Sequence, residues 1–297
     1  MASDFRPGSA PYELPGFANN GKISERWLSV PAQQERRKVL GLSKPATAQL
    51  VAANEFVSLG CFCGVARALQ ALGLTKFAYP FDWVRCSSDG IVSCIDKRFA
   101  DFLTFTSILQ QGEFGPAIFT TVWGGSIWHH DPQDSQIVKT FTRRAMRFLG
   151  LGEVAPARPR IFIRAVNSTR ELDDVPRLLQ ALKKQLPVSS IRLLVLVDCQ
   201  LSEGPRRLQN SSGQDLLFYF FRRALREPLD PGHGDWSGLK RRPMWSMEEH
   251  AEMYAKAIAF AARYWAGEEG SPKSIPVLPA SYCEQQWDGG CPTRELF

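Results

Sequence analysis

The sequence predicts an α/β fold, a mostly parallel sheet with helices packed on both faces. Three observations carry the prediction. Short apolar runs alternate with amphipathic helical stretches along the chain, which is the pattern of βαβ units. One run, Ile191 to Val197, is apolar on both alternating sides, as a strand covered on both faces must be. Polar residues able to do chemistry follow directly on these runs, at the strand ends where parallel sheets bind ligands.

Residues 1 to about 50 contain Pro7, Pro11, Pro15 and Pro31 among Gly, Ser, Asn and charged residues, and read as a flexible arm in which only Ala32 to Leu42 suggests helix. Residues 51–270 form the single α/β domain, and 271–297 a C-terminal tail. Phe56 to Leu59 is the first buried strand. Cys63 to Leu72 follows as a helix with Val65, Leu69 and Leu72 on one side, ended by Gly73. Pro80-Phe81-Asp82-Trp83 is a rigid turn, and Asp89 to Phe102 reads as helix. Ala117 to Trp123 is a strand, His129 to Pro132 a loop, and Asp134 the cap of a helix running to Leu149.

On that last helix Ile137, Phe141, Ala145 and Phe148 share the inner face, so Lys139, Arg143 and Arg147 should face solvent or an anionic ligand. Arg160 to Val166 is a strand, Asp173 to Leu186 a helix tolerant of Pro176 in its first turn, and Ile191 to Val197 the next strand. Leu216 to Phe221 fits strand better than helix. Ser246 to Trp265 is a long amphipathic helix with a capping-box spacing at Ser246 and Glu249.

The 297 residues are 44% hydrophobic and 22% charged, values that fit a globular chain and exclude fibrous or wholly disordered classes. No apolar run is long enough to span a bilayer and no signal-peptide core is visible, so the expectation is a soluble cytoplasmic protein without membrane attachment. The formal net charge of +6 is spread over short dispersed clusters with no RNA-binding aromatic motif, which argues against a nucleic-acid partner. There is no GxGxxG and no GxxxxGK[ST], so no cofactor is expected. Seven scattered cysteines suggest reduced thiols, and Cys61, Cys63, Cys283 and Cys291 match no common zinc spacing. Neither the substrate nor the oligomeric state can be read from the chain.

The chemistry centres on Ser58-Leu59-Gly60-Cys61-Phe62-Cys63, a strand end opening into a helix. Unpaired N–H groups at a helix start stabilise a thiolate and can bring a thiol pKa from about 8.5 to roughly 3.5–7.5. Cys63 is thus the candidate nucleophile. His130 is the candidate base, with His129 its near substitute, His233 in a Gly-rich loop and His250 on a helix. Asn167 is the first choice of orienting group, with Asp198 and Asp82 behind it. Gly60 and Gly64 would admit a substrate backbone, and backbone N–H groups near Cys63 could form an oxyanion hole. Ser58, Gly60, Cys61, Asp82, Trp83, His129, Asp131, Arg144 and Arg164 complete the expected binding surface.

Ser58-Leu59-Gly60-x-x-Cys63, with Pro80-Phe81-Asp82-Trp83 one helix later, resembles a domain family labelled "putative papain-like cysteine peptidase". His130-Asp131, the helix with Arg143-Arg144 and Arg147, and Ile161-Phe162-Ile163-Arg164 resemble that family in the same order, over roughly residues 54 to 200. The resemblance implies Cys63 as the matched cysteine, His130 as the matched histidine and a papain-like α+β fold. Three functions are therefore weighed: a cysteine-dependent hydrolase or acyl transferase, a transferase holding a phosphorylated or nucleotide-sugar donor at the helix start with Arg144 or Arg164, and a non-catalytic interaction module.

Overall fold

The computed structural model describes residues 25–110, 117–166, 169–200, 202–209, 211, 213–222 and 247–278. In chain order its helices and strands are α1 (Val30–Val39), α2 (Pro45–Ala53), β1 (Glu55–Ser58), α3 (Gly64–Ala71), β2 (Val84–Arg85), α4 (Ser88–Asp96), β3 (Phe105–Gln110), β4 (Ala117–Thr121), β5 (Ser126–Ile127), α5 (Ser135–Phe148), β6 (Arg160–Val166), α6 (Val175–Gln185), β7 (Ile191–Gln200), β8 (Gly204–Arg206), β9 (Leu216–Arg222) and α7 (Met247–Trp265).

The main sheet has the order β1-β6-β7-β9-β8. Its first four strands are parallel and β8 runs antiparallel at the edge. Period-two alternation divides each central strand between two cores. Ile161, Ile163, Ala165, Leu194, Leu196, Leu217 and Phe221 pack with the buried faces of α3 and α7. Phe162, Val166, Leu193, Val195, Val197, Phe218 and Phe220 pack with α4, α5 and α6 on the opposite face. This is the mostly parallel, two-sided α/β sheet that the sequence predicts. Full burial of each such side chain contributes about 1.5–3 kcal/mol, so the alternation fixes the register strongly.

A second, antiparallel sheet of order β2-β5-β4-β3 is joined to the end of β1 by a bridge between Cys61 and Arg85. It was not anticipated. The helix expected over Asp89 to Phe102 starts at Ser88, under a Ser87 cap whose hydroxyl accepts from Gly90 N at 3.2 Å, and stops at Asp96. Arg98 and Phe99 then adopt φ of 51° and 63°, which breaks the helix. The cause is an aromatic cluster in which Phe99 and Phe102 pack on Phe81, at ring separations of 5.7 and 5.5 Å, and Trp123 stacks on Phe102 at 5.2 Å.

Arg147 corrects the expectation of a solvent-facing arginine stripe. Lys139 and Arg143 are exposed, but Arg147 is buried, donating to Ala78 O at 2.5 Å and to Glu153 at 2.8 Å. Helix α5 begins as expected, with Asp134 accepting from Gln136 N at 2.8 Å. Helix α6 is capped at Asp174 rather than Asp173 and makes no side-chain cap bond, while proline does fall in its first turn. Ser246 lies outside the described residues, and α7 is described from Met247.

Within the stretch expected to be an arm, α1 and α2 are formed and fastened. Leu42, Thr47 and Val51 are buried, Arg36 donates to Ala71 O at 2.6 Å and pairs with Glu252, and Thr47 donates to Glu268 at 2.6 Å. Neither helix buries a broad apolar face, which is why the residues alone did not announce both. Among the described residues no helix is long and apolar enough to cross a membrane.

Candidate functional site

The segment after β1 is shaped by its backbone. Leu59 N extends the strand pairing to Ile163 O at 2.8 Å, and Gly60 then turns away with φ of +68°. A Cβ at Gly60 would lie 2.7 Å from the Phe81 carbonyl, so only glycine fits against the Pro-Phe-Asp-Trp turn. Ser58 closes the turn by accepting from Gly60 N at 3.1 Å. Cys61 follows with φ of 96°, and Cys63 caps α3, its carbonyl accepting from Arg67 N at 3.0 Å.

Arg164 holds this segment from below. Fully buried on β6, it donates to Leu59 O at 3.2 Å, Cys86 O at 2.8 Å, Cys86 Sγ at 3.5 Å and Glu171 at 2.7 Å. Glu171 in turn accepts from the Ser88 N–H and hydroxyl. Arg164 thus joins β1, β2 and the start of α4.

The two cysteines differ in exposure: Cys61 is buried and Cys63 half-buried. Burial pushes both thiols up, Cys63 to about 11 despite the opposing charge of Arg67. The lowered thiol pKa expected from the helix start is therefore not found. Helix α3 has only eight residues and its start is enclosed, so desolvation of the thiolate outweighs the helix end.

The Cys61–Cys63 segment meets a polar cluster on α7 through Phe62. Phe62 packs on His250 with ring centroids 4.9 Å apart, and on Tyr254 at 6.2 Å. His250 Nε2 lies 3.5 Å from Asp198 Oδ2, and the Tyr254 hydroxyl donates to that same oxygen at 2.5 Å. Asp198 is buried at the end of β7, where a register shift between Val197 and Gln200 redirects the strand, and Gln200 Nε2 donates to its carbonyl at 2.9 Å. Asp198 is near enough to Cys61 for its charge to help raise that thiol.

Arg67, whose charge acts on Cys63, has its guanidinium 6.0 Å from the Trp83 ring centroid, and His129 packs edge-on against the same ring at 5.5 Å. His130 points elsewhere, edge-on to Phe141 of α5 at 5.1 Å, and the charge of Arg144 acts on it. Burial lowers both imidazoles to about 4, so both are neutral at pH 7. Among the described residues no hydrogen bond joins Cys63 to either.

Ser58, Gly60, Cys61, Cys63 and Asp198 lie at the carboxyl edge of the sheet, with Trp83 and His129 reached through Arg67. Asp82, Arg144 and His130 form a separate group beside α5. Asp82 is buried, accepts from Tyr79 N at 2.7 Å and is pushed up to about 7 by burial. Asp131 is exposed and accepts from Gln133 N at 2.8 Å. Asn167, His233, Cys283 and Cys291 lie outside the described residues.

Reading the sequence missed Arg67, Phe62, Tyr254 and the pairing of His250 with Asp198. One signal was there: His250 and Tyr254 are four apart on one helix, as are Cys63 and Arg67 around the start of another, so each pair shares a face.

A half-buried thiol at a helix start, and an Asp–His pair that packs on the neighbouring Phe62, at the carboxyl edge of a mostly parallel sheet, make this an α/β protein with a candidate cysteine site. Residues 54–198 match the family described as "Putative papain-like cysteine peptidase (DUF1796)". Over 73 residues the chain is 41% identical to "Uncharacterized protein R408" of Acanthamoeba polyphaga mimivirus, a match covering 23% of this chain and 32% of that protein. The chain thus spans about a third of that relative's length. No solved structure matches the chain.

Proposed function

We propose that the protein is a cysteine-dependent hydrolase or acyl transferase, with Cys63 as nucleophile, His250 as general base and Asp198 as the group that orients it. Peptide-bond hydrolysis, the activity in the family description, is one form of this chemistry. The observation that carries the reading is the 3.5 Å approach of His250 to Asp198, with His250 packed on Phe62, the residue that precedes the half-buried Cys63 at the helix start.

The upward shift of Cys63 decides the form of the mechanism. A thiol with a pKa of about 11 is protonated at pH 7, so a base must take its proton as sulfur attacks. In the acylation step the Cys63 S–H proton passes to the imidazole, a C–S bond forms at the acyl carbon, and the imidazolium returns the proton to the leaving amine or alcohol. Water, or a second nucleophile in acyl transfer, then cleaves the thioester. Asp198 would stabilise the imidazolium, and Tyr254 would keep the carboxylate from rotating.

The anion-binding transferase reading is weakened because Arg164 is fully buried and spent on internal partners. The deciding experiment is iodoacetamide labelling of Cys63, followed by mass spectrometry at pH 7.5, in the wild type, His250→Ala, His130→Ala and Asp198→Asn. Slowing of about tenfold or more in His250→Ala and Asp198→Asn, with His130→Ala near wild type, supports the assignment. Loss on His130→Ala alone would move the base to His130, and a Cys63→Ser variant that retained an acyl-transfer activity would end the reading.

A further inference from the structure

Arg67 lies one helical turn beyond Cys63, and its N–H donates to the Cys63 carbonyl at 3.0 Å, so both side chains leave α3 on the same face. Its guanidinium lies over two aromatic rings, 5.3 Å from the centroid of Trp27 and 6.0 Å from that of Trp83. Only 13% of the side chain is exposed. Both rings attract the cation, and its N–H groups remain for hydrogen-bond partners. Nη1 donates to Gln70 Oε1 at 3.2 Å, and Nη2 holds the carboxylate of Glu25, a side chain 44% exposed.

This is a built carboxylate site with a carboxylate already in it. It opens beside the candidate nucleophile, since the charge of Arg67 acts on both Cys63 and His129. The carboxylate is bound through one nitrogen and its side chain is 44% exposed, so its side of the pair is open to exchange with solvent. The net charge of +6 adds long-range attraction for anions.

We propose that Arg67 selects acyl substrates carrying a carboxylate near the reacting bond, and that Glu25 is a stand-in that must leave when such a substrate binds. The inference rests on Cys63 as nucleophile. It adds a substrate class, acidic acyl compounds such as peptides with an Asp or Glu side chain next to the scissile bond, and it gives residue 25 a competitive role.

The test compares two alkylating agents of equal leaving group and different charge. In both, the Cys63 sulfur forms a C–S bond, iodide departs with the C–I electron pair and the thiol proton goes to solvent. Iodoacetate carries a carboxylate and iodoacetamide does not. The ratio of their rates at Cys63 is measured at low ionic strength in the wild type, Glu25→Gln, Arg67→Gln and Arg67→Lys. Glu25→Gln should raise the ratio roughly three- to fivefold by freeing Arg67, and Arg67→Gln should lower it below wild type. Arg67→Lys keeps the charge and should stay above Arg67→Gln. A ratio indifferent to both Glu25→Gln and the Arg67 variants overturns the proposal while leaving Cys63 reactive. If Arg67→Gln fails to fold, Glu25→Gln decides alone. A Cys63 that iodoacetamide cannot label in the folded protein removes the nucleophile, and this inference falls with it.

Discussion

The Tyr254 hydroxyl donates to Asp198 Oδ2 at 2.5 Å, and that same oxygen lies 3.5 Å from His250 Nε2. One carboxylate oxygen therefore ties two side chains of α7, a turn apart, to the end of β7. The pairing needs both the redirected end of β7 and a helix running back across the sheet. It fixes the imidazole beside the Cys61 to Cys63 segment.

Replacing Tyr254 by Phe tests that tie. Tyr254 is fully buried, and Asp198 Oδ1 makes no hydrogen bond among the described residues, so the carboxylate would lose its short donor with little to replace it. The expected loss is about 1–3 kcal/mol in urea denaturation, accompanied by slower labelling of Cys63. An unchanged midpoint would show that the hydroxyl is not holding Asp198.

Glu171→Ala should be more damaging. It strands the fully buried Arg164 without its carboxylate and removes the acceptor of Ser88 N and Oγ. Breaking a buried pair from one side costs about 3–5 kcal/mol, so thermal unfolding should move down markedly. A loss below about 1 kcal/mol, the range of surface pairs, would mean that Arg164 finds another partner.

Asp82 and the two loop histidines make stability depend on pH with opposite signs. Burial raises Asp82 from 3.8 to about 7, so between those values the folded state holds a proton that the unfolded state has released. Its contribution is fully present below pH 4 and is lost as pH rises through 7. His129 and His130 are lowered from 6.5 to about 4 by burial, so they destabilise the fold as pH falls through that window. Asp82→Asn should flatten the stability profile up to pH 7, by a few kcal/mol at most, and a His129→Gln, His130→Gln double variant should remove part of the acid loss. Profiles parallel to wild type from pH 3 to 8 would contradict both assignments.

Gly60→Ala joins fold and site. Its φ of +68° and the 2.7 Å approach of the added Cβ to the Phe81 carbonyl predict a loss of at least about 1 kcal/mol and a slower Cys63, because the turn that aims the cysteine would shift. Wild-type stability together with wild-type labelling would show that this turn tolerates a side chain.

The central strands were legible because they are buried on both faces. Phe162, Leu193 to Val197 and Phe218 leave no other environment for such runs than the middle of a covered sheet. The long helices were legible from periodicity and from a cap such as Asp134. Strand β3 was not, since its residues are mostly exposed and it forms by pairing with β4. The end of α4 was hidden because helical spacing continues through Phe99 and Phe102, whereas the aromatic cluster around Phe81 draws those rings out of the helix.

Local pattern was enough to set the α/β class and to put Cys63 at the start of a helix after the first strand, because strand alternation, helix periodicity and the Gly60 turn act between near neighbours. The tertiary structure alone decided that the thiol is raised rather than lowered, that Arg147 and Arg164 are interior, and that His250 rather than His130 faces Asp198. Burial and the pairing of charges are set by residues far apart in the chain, such as Asp198 and His250, which no local spacing brings together.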